Sequence, residues 1–571
     1  MRVVPGVGLI GLLVAVVALA PAAAVAAPAL GIAQLAGADG CTAQVDTRDE
    51  DEDDAAANRT CRRGRGLLDA TNLAVSPDGS SLYASASESG ALVSFSRNPR
   101  TGALTQLGCI SNNGSNGLDG TERQCVDGNA LAGAYSLAVS PDGRNVYVAS
   151  YTSGGIAMFE RNPATGATRQ IGCIRPVVTC IGARALAGAA SITVTRDGKH
   201  VYLASSIADG ILALARDPDT GMLKPLGCIS DDGTDGMCVN GNTMRGAAAV
   251  VASPDGRFVY LAAGDSGAVL TFERNAETGA LTQRGCLMDD APSGGSCVRA
   301  HALADPVALA MAPDGRTLFV AAYDSNAIVV LARNTSTGAL RQVGCVSTPY
   351  EDERDGCGHV PLLESPVAVS VTRDLRRLYA AVDSGVLAFD RNTVTGTLAP
   401  AGCISYRGYW DDEAVASCVI ARGVSGASGV ELSPDGRNVY VSAWGSNSVA
   451  VFAPSVSVAQ VADRAERGML AVRLACPALH TGSCAGRLDV APIGRAPRIA
   501  APARFEVEVG RDAVVRMRLT SAAKRALADG ARLRMLVTAT ERGGEAGPVR
   551  RRALLRGKPV PHDRAAPPRR G

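Results

Sequence analysis

The chain has 571 residues, of which 46% are hydrophobic, 20% are charged and only 4% are aromatic, with 64 glycines. That balance excludes a disordered chain, and the shortage of helix-length apolar stripes turns the reading toward β structure. The net charge of +2 conceals an asymmetry: residues 455–571 carry a positive excess of 13 and the rest a negative excess of 11, which predicts two modules.

In chain order, the first element is an export signal. Arg2 precedes an apolar run over residues 7–20, and Ala24-Val25-Ala26 fits the small-x-small cleavage rule. The mature chain is expected to start near Ala27, in an extracellular or cell-envelope compartment. An uncleaved anchor is the competing reading, and the run is short for one. Residues 31–37 then read as a lone strand leading to Cys41. The acidic run 46–54 reads as a solvated loop.

A repeat dominates the chain from there to residue 454. Its tight turn recurs as Ser76-Pro77-Asp78-Gly79, Ser140-Pro141-Asp142-Gly143, Thr195-Arg196-Asp197-Gly198 and Ser253-Pro254-Asp255-Gly256. It continues as Ala312-Pro313-Asp314-Gly315, Thr372-Arg373-Asp374-Leu375 and Ser433-Pro434-Asp435-Gly436. Proline presets φ and glycine accepts positive φ in such turns. Each unit reads as four strands. In the second they are 136–139, 145–150, 155–160 and 167–173, with another tight turn at 161–166. A four-stranded meander repeated seven times closes radially and leaves only short edges. The last unit stops after its third strand, so the lone strand at 31–37 is expected to complete it. An open solenoid or separate small sheets would leave both ends unpaired.

The 16 cysteines follow the repeat. Local pairing is the economical arrangement: Cys41 with Cys61, Cys109 with Cys125, Cys173 with Cys180, Cys228 with Cys238, Cys286 with Cys297, Cys345 with Cys357 and Cys403 with Cys418. Cys476 and Cys484 would close a further loop. Varied intervals, no Cys-x-x-Cys and no accompanying histidine speak against zinc. An even count behind an export signal implies disulfides.

The run Ser140-Pro141-Asp142-Gly143-Arg144-Asn145-Val146-Tyr147-Val148-Ala149-Ser150, with the later Phe159-Glu160-Arg161-Asn162-Pro163-Ala164-Thr165-Gly166, resembles the YVTN-type repeats and the seven-bladed lactonase-like propellers. The resemblance covers residues 30–454. It implies a seven-bladed propeller, and in the enzymes of that group hydrolysis or isomerisation of a sugar or muconate lactone. Their sites use His, Glu and Arg at the channel mouth, with a His five residues before the turn. Here those positions hold Thr71, Tyr135, Ala190, Ala248, Val307, Val367 and Ser428, none of them a base at neutral pH. His200 falls between strands, His301 and His359 fall in loops, and His480 and His562 lie beyond the repeat. No catalytic residue is assigned. A carboxylate–arginine site stays open as the enzymatic alternative.

The meander fixes which loops share a face. One face has only tight turns. The other gathers the cysteine-closed loops and the second-to-third-strand loops, where binding is expected. Both tryptophans fall there, giving the candidate ligand-binding set Tyr406, Arg407, Tyr409, Trp410, Asp411 and Trp444. Aromatics beside carboxylates stack on sugars or anchor protein partners. Packing of the two indoles on each other is the structural alternative. The loops 112–120 and 231–236 are acidic and Gly-rich in the manner of calcium loops, yet they lack EF-hand spacing, and turn chemistry explains the same residues. No cofactor is assigned.

Residues 455–556 read as a small basic Ig-like β-sandwich, with strands at 470–474, 487–491, 505–509, 514–519 and 532–538 and a short helix at 522–527. Residues 557–571 read as a disordered, Pro- and Arg-rich tail. The expectation is therefore an all-β, monomeric chain: signal 1–26, propeller 27–454 and a C-terminal sandwich. Its function would be binding of a protein, polysaccharide or cell-wall polymer, without nucleic acid.

Overall fold

The computed structural model describes residues 32–45, 60–118, 121, 123–233, 237–289, 297–348, 356–360, 362–406, 418–477, 483–493, 498–509, 511–542 and 546–557. The expected signal, the acidic run 46–54 and the expected tail from 558 lie outside them. The fold is all-β. The one α-helix among the described residues is Ser521–Ala528, where the Thr520 hydroxyl caps the Ala523 N–H. No helix among them is long and apolar enough to cross a membrane.

Each repeat unit forms one antiparallel sheet. In the second unit the strands are Ala134–Val139, Asn145–Ser150, Gly155–Arg161 and Thr168–Ile174, paired in chain order. The first strands of the other units are Ala70–Val75, Ala189–Val194, Ala247–Ala252, Pro306–Met311, Ala368–Val371 and Ala427–Leu432. Each first strand packs beside the next, and Ala427–Leu432 packs beside Ala70–Val75. The second strand of the unit, Asn145–Ser150, is buried along its whole length. Covered on both faces, it carries small and apolar residues at nearly every position instead of alternating. The core therefore lies between sheets: Tyr147, Ile156 and Met158 of the second unit pack with Ile192, Leu203 and Leu214 of the third.

The recurrent turn is held by its own side chains. Ser76 Oγ donates to Asp78 Oδ1 (2.6 Å) and accepts from the Ser81 N–H (3.0 Å), while Gly79 takes φ +68°. The second tight turn also requires glycine. Gly166 has φ +79°, and a Cβ there would stand 2.2 Å from Ser81 Oγ of the preceding unit.

The N-terminal segment does pair with the last unit, but in two pieces rather than one. Ile32–Gln34 and Cys41–Ala43 both run antiparallel to Ser448–Pro454, separated by a 3-10 turn at Gly37–Gly40. The piece at Cys41 was not expected as a strand. The turn makes the break: Gly40 lies so close to Leu35 that a Cβ would meet its carbonyl oxygen at 2.5 Å.

The disulfides pair locally, as the repeat predicts, and among the described residues no cysteine is free. Such a count is typical of extracellular proteins. After most of the returning cysteines a two- or three-residue parallel strand adds to the sheet edge, as in Ile110↔Val126 and Ser111↔Asp127. Removing the shortest of these repeat links in the variant Cys173→Ala/Cys180→Ala is expected to lower stability by about 2 kcal/mol, read from urea midpoints.

The C-terminal module contains the five expected strands, four of them somewhat longer and the one expected at 505–509 shifted to Ala503–Val507, plus Ser457–Val461 and Val549–Arg556. Ser457–Val461, Met469–Ala475 and Asp512–Arg518 make one sheet. The other, built from Val549–Arg556, Arg532–Glu541, Cys484–Pro492 and Ala503–Val507, continues the sheet of the sixth unit through Val419↔Arg551. The charge asymmetry of the sequence thus marks two regions that share a sheet.

Candidate functional site

Two sets of side chains occupy the two ends of the ring of first strands. On the tight-turn face, an arginine from the end of each third strand but the last reaches into the preceding unit. Arg161 Nε donates to Tyr83 Oη (2.9 Å), Nη2 to the Asp78 carboxylate (2.9 Å) and Nη1 to the Gly143 carbonyl (3.0 Å). Tyr83 then donates to the Gly166 carbonyl (2.8 Å). Arg216 does the same with Tyr147 and Asp142, and Arg333 with Tyr260 and Asp255. Arg97 with Tyr440 and Asp435 joins the last unit to the first.

Electrostatics follow from this geometry. Burial pushes the Tyr147, Tyr260 and Tyr440 hydroxyls up to about 12. Burial works against the Asp197 carboxylate, yet the Thr195 hydroxyl and Arg274 hold it down at about 2. His200, expected between strands, instead begins the strand His200–Ser205 and is buried with Nδ1 against Arg274 Nη2. It belongs to this clamp. His301 and His359 are exposed, and Gln342 holds the backbone of His301 at both its N–H (2.9 Å) and its carbonyl (3.0 Å).

On the opposite face, the second-to-third-strand turns fold over the residues that lead into the first strands. The Tyr151 N–H donates to the Gly133 carbonyl (2.8 Å), that of Tyr323 to Asp305 (2.8 Å) and that of Trp444 to Gly426 (2.8 Å). The side chains Tyr135, Tyr151, Tyr323 and Trp444 remain exposed around this rim, at 47%, 40%, 39% and 52%. Tyr135 and Tyr151 meet at 6.2 Å between ring centroids. Desolvation at its hydroxyl end, then the nearby Asp69, Tyr151 and Asp305, push the Tyr135 hydroxyl up, although the residue as a whole stays half exposed. Burial, together with Asp324 and Asp265, raises the Asp305 carboxyl. Residues from the first, second, fourth and fifth units therefore sense one another here.

At the positions where a lactonase-like enzyme would carry histidine, two residues serve structure. Thr71 Oγ1 donates to the Ala134 carbonyl (3.1 Å), and Ser428 Oγ donates to the Ala70 carbonyl. These bonds tie adjacent first strands. Glu431, in the last first strand, is partly buried. Burial raises its carboxyl to about 7, and the Val75 and Leu432 N–H groups offset part of that.

Of the expected ligand-binding residues, Trp444 stands on the rim, its indole so close over Gly426 that a Cβ there would meet Cε2 at 2.8 Å. Tyr406 is half-buried and packs against the apolar cluster of the sixth and seventh units. Arg407, Tyr409, Trp410 and Asp411 lie outside the described residues. Among the described residues no group of three His, Cys, Asp or Glu side chains could hold a metal. Asp231, from one of the calcium-like loops, accepts the Met244 N–H (2.8 Å) through Oδ1. Sequence reasoning misses Tyr135, Tyr151, Tyr323 and Asp305. The signal that finds them is a comparison of the repeat positions of Trp444 and Tyr135 across the units.

Over residues 115–298 and 233–350 the chain matches the family described as Lactonase, 7-bladed beta-propeller. It is similar to the lactonase-like propellers, as its repeat implies. No curated protein matches the sequence. Among solved structures, a 6-phosphogluconolactonase-like protein of Bacteroides uniformis shares 22% identity over 58% of this chain and 83% of its own, with a TM-score of 0.43. The periplasmic gluconolactonase of Pseudomonas aeruginosa shares 19% identity over 58% and 84%, with a TM-score of 0.41. The hydrazine synthase of Kuenenia stuttgartiensis shares 18% over 67% and 95%, with a TM-score of 0.43.

Proposed function

We propose that this chain is an exported seven-bladed propeller with a small C-terminal β-sandwich, and that it binds a polyhydroxylated ligand, a sugar of a cell-envelope polymer, at the rim of its cysteine-closed face. One observation carries this reading. Tyr135, Tyr151, Tyr323 and Trp444 stand exposed around a rim that also holds Asp69, Asp265, Asp305 and Asp324. Aromatic faces stack on the C–H surface of a sugar, and carboxylates accept its hydroxyls. The rim sits on a scaffold fixed by disulfides and buried clamps, so binding costs little ordering. Export rests on the leader reading of residues 1–26 and on the disulfide content.

A glycan array followed by calorimetry tests this on the oxidised mature chain. Tyr135→Ala and Asp305→Asn are each expected to weaken the captured glycan about tenfold, with thermal stability unchanged. No captured glycan, or binding indifferent to both changes, would overturn it.

A second reading, lactone hydrolysis, is favoured by the raised carboxyl of Asp305 beside Asp324 and Asp265. A carboxyl raised by burial and by neighbouring carboxyls is the kind of group that general acid–base work uses. Turnover of a lactone that Asp305→Asn abolishes would establish it in place of simple binding.

A further inference from the structure

The arginine clamp is uneven around the ring. It is complete between the first and second units, the second and third, the fourth and fifth, and the seventh and first. Arg274 reaches Asp197 and His200 at the third junction. Arg391 donates to Thr317 and the Leu375 carbonyl at the fifth, where Phe319 stands in the tyrosine's place with its ring centroid 5.6 Å from the guanidinium. The sixth junction differs from all of these. The sixth unit carries the usual residue types, Asp374 and Tyr379, at the acceptor positions. The seventh unit has Pro454 where the arginine belongs, because the chain leaves the repeat there for the C-terminal module. Arg377 of the sixth unit instead bonds within its own unit, to the Tyr379 hydroxyl and to Asp390 (2.8 Å), so among the described residues no arginine crosses this junction to those two acceptors.

That same junction is the place where the C-terminal module attaches. On the sixth unit, Val419 of the outer strand Val419–Ile420 pairs with Arg551 and packs against both the module core and the cluster shared by the sixth and seventh units. On the seventh unit, Leu35 bridges to Ala546, the Gly547 N–H donates to the Gln34 carbonyl (2.7 Å), and Ala33 is buried in the module core. Arg551 also donates to the Val458 and Ala459 carbonyls (2.6 and 2.8 Å), which ties the attaching strand back to the segment just past Pro454. Gln34 and Arg422 add a two-way link across the same seam: Gln34 Nε2 donates to the Arg422 carbonyl (2.7 Å), and the Arg422 N–H donates to Gln34 Oε1 (3.1 Å).

We propose that the C-terminal module is the clasp of the ring: it grips the outer edges of the sixth and seventh units and replaces the arginine clamp that their junction lacks. The inference rests on the closed-ring reading above. It gives the module an intramolecular role that its positive charge alone would not suggest. The strand Val549–Arg556 is rich in arginine, and Arg551 spends its guanidinium on backbone carbonyls beside the seam.

Hydrogen exchange on the full oxidised chain tests the clasp. Arg551→Ala is expected to speed exchange about tenfold at Arg377–Val382 and Ala427–Leu432, and to leave Asn145–Ser150 and Ala189–Val194 unchanged. Val419→Thr is expected to act at the same amides more weakly. Adding Pro454→Arg to Arg551→Ala restores the missing clamp and should return protection at the seam. Selectivity decides the outcome even if the module itself loosens. Equal loss at every junction, or no loss at the sixth, overturns the proposal. Lack of protection between Ala427–Leu432 and Ala70–Val75 in the unaltered chain overturns ring closure, and the clasp with it.

Discussion

Replacing Arg161 with alanine is expected to destabilise the chain by about 4 kcal/mol, the cost typical of removing one partner from a buried ion pair. The Arg161 side chain is 1% exposed, and its loss takes a donor from the Tyr83 hydroxyl, the Asp78 carboxylate and the Gly143 carbonyl together. Asp78 keeps contact with water, which softens part of that cost. Arg391→Ala is the internal comparison. Its partner set lacks both the tyrosine and a direct carboxylate contact, and its Nε is already unsatisfied, so the loss should be less than half as large. Urea midpoints of the two variants, with slopes compared, check the ordering. Equal losses would mean that the arginines act through packing alone.

Glu431→Gln is expected to stabilise the chain at pH 8 and to be nearly neutral at pH 4. The folded carboxyl titrates at about 7 against an ordinary 4.5, so between those values the folded state holds a proton that the unfolded chain has lost. Stability therefore falls as pH rises through that window, and the full penalty is present above it. The shift corresponds to about 3 kcal/mol at most. Glutamine keeps an acceptor for the Val75 and Leu432 N–H groups without the charge. Melting temperatures across pH 4 to 8 check the sign. A variant that melts with the unaltered protein at every pH would place Glu431 in contact with water. The aspartates of the clamp act in the opposite sense. Asp197 is held low, so its contribution is present above the ordinary aspartate value and is lost as pH falls toward 2.

How far the sequence is legible depends on the range of each interaction. The turn at Ser76-Pro77-Asp78-Gly79 closes through bonds five residues apart or fewer, so its residues announce it. The disulfides likewise close within one repeat. The arginine clamp does not. Arg161 sits before Asn162-Pro163-Ala164-Thr165-Gly166 and reads as a polar residue opening a turn, whereas its partners lie 78 to 83 residues earlier in another sheet. A search within one unit never pairs them. Tyr135 enters the sequence argument only as a place where histidine is missing, and its neighbour Asp305 lies three units away. Rims are built from many units at once, so local pattern gives the position but not the company. The strand Val549–Arg556 escapes notice because its four arginines hide the alternation that a half-buried strand would otherwise display.

The seven disulfides of the repeat region span sequence separations from 7 to 20 residues, yet their Cα–Cα distances stay between 4.7 and 5.0 Å. Each pair therefore presents the same two anchor points whatever length of chain runs between them. The number of residues between paired cysteines can therefore vary from unit to unit while the anchor points stay fixed. A change of length in one of these segments leaves both anchor points where they are. The cysteine-closed face is thus the part of this molecule free to acquire a new specificity while the ring beneath it stays the same.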